Sequence, residues 1–112
     1  MALDRVINEF RKQHGRHEIV VHGSFNCEQH CWAMINAGCV YHAEPCYLRG
    51  WSEAVARCRY LGDWGALERY LIFEILGTDQ EHCNIILDAN ELNFGIVMYG
   101  SQGDVYFTLR GR

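Results

Sequence analysis

Cys31 and Trp32, in the stretch NCEQHCWAMINAG, place a thiol near the expected start of an apolar helix. A helix N-terminus favours thiolate, the nucleophilic form of cysteine. A nucleophilic thiol needs a base, a group that orients the base, and donors for an oxyanion. His82, in DQEHCNIILDAN, heads an apolar run that reads as a strand, and it is the expected base. Asp88, Asn90 and Asn93 follow it as candidate orienters, and spacing alone does not choose among them. The backbone N–H of Cys31 and the side-chain amide of Asn26 would serve the oxyanion, with Trp32 packed beneath the site. The same residues also read as a buried free cysteine beside a core tryptophan.

Metal binding competes for part of this set. Cys27 with His30, and Cys39 with His42, form C-x-x-H pairs from which a tetrahedral zinc site can be drawn, with Cys46 as a spare ligand. The first pair sits beside the apolar stretch from Trp32 to Ile35, where a zinc-knuckle turn would be needed. The catalytic reading therefore takes no cofactor and no metal, and zinc is the alternative use of these side chains. His22, before Gly23, could reach the same helix from the strand that precedes it. His14 and His17 flank a turn and read as solvated.

The elements that must position these groups follow from periodicity. Leu3, Val6, Ile7 and Phe10 recur at helical spacing, so residues 2–14 read as an amphipathic helix stopped by Gly15. Residues 18–22 read as a strand. Ser24 or Asn26 caps the helix 27–37, which Gly38 stops. Residues 38–50, broken by Pro45, read as loop. Ser52 and Glu53 open an expected helix to about Leu61, and Asp63 caps another through WGALERYLIFEIL to Gly77. Residues 83–87, 94–99 and 105–109 read as strands of an antiparallel meander. The sum is an α+β fold in one domain, 1–112, with a helical N-terminal half packed on a small antiparallel C-terminal sheet.

Composition narrows the partners. A net charge of −4, with both signs interspersed, argues against a nucleic-acid footprint. No apolar run approaches the roughly 18 residues of a membrane span, and MALDRVINEFRK lacks the apolar core of a signal peptide. The six cysteines are therefore expected reduced, in the cytoplasm, or in the host cytoplasm if the chain is viral.

CEQHCWAMINA resembles the nucleophile segment of papain-like cysteine proteases, and DQEHCNIILDANELNFGIVMYG resembles their histidine strand and the strand after it. In layout the chain is similar to the small leader proteases of RNA viruses, of the hypovirus and potyvirus type. Asn26 is similar to the asparagine that picornaviral leader proteases place before the cysteine. The resemblance runs from Asn26 to the end and implies a minimal papain-like fold, with a polypeptide substrate that could be the chain's own C-terminal segment. It further implies cleavage in cis near Gly111, with Cys31 attacking the scissile carbonyl and His82 protonating the leaving amine. A second class fits the same small acidic chain: a non-enzymatic interaction or inhibitor protein of the immunity or host-factor-binding kind, which needs no activated thiol.

Overall fold

A computed structural model describes residues 2–112. Helix α1 spans Leu3–Gln13 and carries its apolar residues on one stripe, so Leu3, Val6, Ile7 and Phe10 are all buried. Strand β1, Val20–Gly23, follows, and Ser24 then caps α2, Phe25–Ala37, by accepting from Cys27 N. Gly38 ends α2 with a φ of 72°, the left-handed conformation that a residue without a Cβ adopts at least cost. A single turn, α3, covers Pro45–Leu48. Strand β2 is Ser52–Arg59 and α4 is Trp64–Arg69, which runs on as a π-helical stretch over Tyr70–Leu76. Helix α5 is Gln80–Asp88, and β3, Glu91–Tyr99, and β4, Asp104–Gly111, complete the chain.

The four strands form one sheet in the order β1-β3-β4-β2. β1 lies parallel to β3, whereas β4 pairs antiparallel with both β3 and β2. Strand alternation divides the sheet into two faces. On one face, Ala54 and Ala56 of β2, Leu92 of β3, and Val105, Phe107 and Leu109 of β4 meet buried side chains of α1, α4, the π-helical stretch and α5. The other face carries Val55, Val97 and Tyr106, and it is covered by Cys31, Met34 and Ile35 of α2. The helices thus lie in two layers with the sheet between them.

The α+β class agrees with the sequence reading, while two elements exchange type. Residues 52–59, expected helical, are β2, and residues 83–87, expected as a strand, lie in α5. In β2 the small residues Ala54, Ala56 and Cys58 face the main core, and Glu53, Val55 and Arg57 alternate with them, a period of two that the helix-forming composition masks. In α5, Asp79 accepts from Glu81 N and caps the helix, and Cys83 and Ile86, three apart, share its buried face. The helix ends against Arg11, whose guanidinium, fully buried, donates to the carbonyls of Ile86 and Leu87 and to that of His17. The sheet is accordingly mixed, and it takes two strands from outside the expected C-terminal meander. No helix among the described residues is long and apolar enough to cross a membrane.

Candidate functional site

Cys31 lies in the middle of α2, because Ser24 caps the helix and the helical turn begins at Phe25. The field of a helix terminus fades within the first turn, so the thiol gains little from it. Cys31 is fully buried, with Sγ 3.4 Å from the carbonyl oxygens of Gly95 and Tyr106 and 3.3 Å from Thr108 Oγ1. Burial pushes its pKa up from 9.0 to about 11; the Thr108 hydroxyl offsets part of this, and Cys27 and Glu28 add to it. The expected thiolate is thus a protonated core thiol.

The remaining members of the expected triad are not brought to it. His82 lies on α5, across the sheet from α2, with Nδ1 3.0 Å from Asp79 Oδ2. Asp88 ends α5, is exposed, and stands 4.0 Å from Arg16. Asn90 is exposed between α5 and β3. Asn26 is exposed in the first turn of α2, and it lines, with Asn93, a separate cleft. Trp32 is 45% exposed and packs edge-on against Tyr99, above the sheet surface. Gly111, the expected cut site, is a buried residue of β4 paired with Leu92 and Ser52.

The zinc set is likewise divided. Cys27 is buried under α2 and Cys39 is exposed beyond its end. His30 Nε2 donates to the Tyr41 carbonyl at 2.7 Å, and His42 is held by Glu53. No group of three or more His, Cys, Asp or Glu residues among the described ones is arranged to hold a metal ion. A C-x-x-H pair inside a regular helix points its two side chains at the helix's own packing partners, and the second pair falls in the loop.

What the structure does assemble is a cleft of about 1160 Å³ between α2 and the segment that leads from it to β2. His42, Ala43 and Arg110, which line the cleft, are all held by Glu53, buried near the start of β2. Glu53 Oε1 accepts from Ala43 N at 2.9 Å and from His42 Nδ1 at 3.0 Å, and Oε2 accepts from Arg110 Nε at 3.0 Å. Because a carboxylate only accepts, the His42 proton toward it is on Nδ1, leaving Nε2 of this exposed ring as the nitrogen available to an incoming group. Glu53 and Arg110 are register partners on β2 and β4, so the sheet itself aligns the ion pair. The walls carry Tyr41, Tyr47 and Trp51, with the amides of Asn26, Gln29 and Asn93 opposite. Arg49, also in the lining, holds a left-handed backbone with φ 48° and ends α3, a place that glycine fills at lower cost.

The sequence reading named His42 as a zinc ligand and Glu53 as a helix opener, and it assigned Arg110 no role. The alternation of Glu53, Val55 and Arg57 against Ala54, Ala56 and Cys58 was the available signal for a strand with a polar face. Nothing local indicated that Arg110 would pair with it.

Among solved structures the fold is similar to Ancylostoma-secreted protein Ac-ASP-7, with a TM-score of 0.58 and 14% identity over 98% of this chain and 65% of that one. The manganese-bound form of Ac-ASP-7 gives a TM-score of 0.57 and 13% identity over 97% of this chain. The likeness is one of fold, and the chain spans about 65% of the length of these neighbours. No protein-family model matches the sequence. No curated protein matches it either.

Proposed function

We propose that this chain is a non-catalytic interaction protein whose cleft between α2 and the segment before β2 receives a segment of a polypeptide partner. The observation that carries the reading is the cleft itself, preorganised by a satisfied buried ion pair and walled by aromatic rings and amides. Side-chain amides both donate to and accept from a peptide backbone, and aromatic walls take up apolar side chains at low entropic cost. At about 1160 Å³ the space exceeds what one small ligand fills. Arg49, which lines the cleft, supports the same reading: its backbone conformation costs stability, and its side chain is what glycine would not supply. Cys31, sealed under α2, stands apart from all of this.

Manganese, present in one of the structural neighbours, does not suit these residues. Both oxygens of Glu53 are already committed to donors, and Arg110 sets a fixed positive charge beside them. The six free thiols, two of them exposed, favour a reducing compartment such as the cytoplasm.

Peptides selected from a random display library on the immobilised protein test the proposal. They should bind the wild type and lose about tenfold in affinity with Trp51→Ala, as measured by calorimetry. Arg49→Gly should weaken the same peptides while stabilising the protein by about 1 kcal/mol. Peptides indifferent to both variants would refute the cleft as the site. Hydrolysis of a selected peptide that disappears in Cys31→Ser would return the case to a papain-like protease.

A further inference from the structure

β2 is an edge strand, bonded to β4 on one side only. Tyr60 N donates to Gly103 O at 2.9 Å, one step beyond the β2–β4 register, so the alternate residues Ser52, Ala54, Ala56 and Cys58 direct their backbone groups at β4. Glu53, Val55, Arg57 and Arg59 therefore direct their N–H and C=O groups outward, and no other backbone segment among the described residues bonds to them. Unpaired edges of this kind are ready templates for another strand.

The side chains say which strand fits. Arg57 and Arg59 are exposed on the same face as half-buried Val55. Arg59 Nη2 meets only the neutral Gln102 amide, at 2.8 Å, and Arg57 Nη2 is 3.7 Å from Asp104. Asp104 thus offsets one guanidinium and leaves the other free, so the edge is locally positive on a chain whose net charge is −4. Just past the strand, Leu61 is 87% exposed. A second copy of this chain does not complement such an edge. Antiparallel pairing about Cys58 sets arginine against arginine, and pairing about Ala56 sets Arg59 against Glu53, which Arg110 and His42 already hold.

We infer that the outer edge of β2 is a docking site for an extended acidic segment of another protein, which adds a fifth strand to the sheet. Its residues on the α2 face follow the pattern apolar-x-acidic-x-acidic, opposite Val55, Arg57 and Arg59. Main-chain hydrogen bonds supply the register and the two carboxylates supply selectivity. The surface lies outside the cleft, so a partner there does not depend on the Glu53 site being occupied.

The probe is a synthetic peptide in which a valine and two glutamates alternate with threonines, titrated into the intact protein at low salt. Binding should slow hydrogen exchange at the amides of Val55, Arg57 and Arg59. Affinity should fall by about tenfold for Arg59→Glu, and likewise for a peptide with lysines in place of the glutamates. A peptide N-methylated along its bonding edge should not bind. Arg59 is exposed, so an unchanged melting temperature of its variant separates lost docking from lost folding. Binding without protection of those three amides, binding that ignores the charge reversals, or no saturable binding would overturn the inference. Protection that rises with protein concentration alone would overturn it in favour of a second copy.

Discussion

Cys31 and Glu53 are both buried and both polar, and their surroundings give them opposite roles. Burial, with carbonyl oxygens and no cation around it, favours the neutral form of the thiol, whereas the carboxylate is tied to a guanidinium, an imidazole and a backbone N–H that hold the start of β2 to β4 and to the loop before it. The folded protein holds the Cys31 proton more tightly than the unfolded chain does, up from 9.0 to about 11. Its contribution to stability is therefore complete below pH 9 and is lost as pH rises toward 11, a swing of about 3 kcal/mol. Urea titrations across that range should show wild type converging on Cys31→Ala as pH rises; parallel curves would contradict the assignment. At neutral pH, iodoacetamide should reach exposed Cys39 and Cys46 quickly and Cys31 only through unfolding. Glu53→Ala leaves Arg110, whose side chain is 12% exposed, without its partner and should cost about 3 kcal/mol in chemical denaturation. A loss well under 1 kcal/mol would mean that water replaces the carboxylate.

Among the elements, α2 depends on one position of the strand beneath it. A Cβ added at Gly95 would stand 2.3 Å from Glu28 N and 2.4 Å from the Cys27 carbonyl carbon, both backbone atoms of α2. Neither can swing aside as a side chain would, so Gly95→Ala must push the helix off the sheet. We expect a loss of about 3 kcal/mol, together with exposure of Cys31 to labelling. An unchanged melting temperature would show that the helix can shift freely. Sequence divides the start of α2 between Ser24 and Asn26, and the structure's choice of Ser24 moves Cys31 from the first turns to the middle of the helix. The C-terminal end of α2 was legible in sequence because Gly38 acts on the backbone locally. The types of β2 and α5 were not, because SEAVARCR and QEHCNIILD carry weak and conflicting propensities that packing overrides. Alanine in β2 is chosen by the helices that approach that face of the sheet, and those contacts come from distant parts of the chain.

Over the whole molecule the two helical layers are unequal. The main core joins residues from α1, α4, the π-helical stretch, α5 and three strands, whereas the α2 face rests on Cys31, Met34 and Tyr106 with a few half-buried neighbours. Less apolar surface locks α2 in place, so its amides should exchange with solvent through an opening of lower free energy than those of β4. Native-state hydrogen exchange tests this, and equal protection of the two would refute it. Such an opening would also widen the cleft, one wall of which is α2. The sequence by itself determined the α+β class, the amphipathic α1, the end of α2 at Gly38, the long helix after Asp63 and the two final strands, because each follows from residues within a few positions of one another. Tertiary structure decided between the helical composition and the period-two alternation of residues 52–59, and it alone decided that His82 and Cys31 lie across the sheet from each other and that Glu53 meets Arg110 and His42. Those outcomes rest on the strand order β1-β3-β4-β2, which joins β2 to β4 from far along the chain, and on which face each helix covers. No local pattern encodes either.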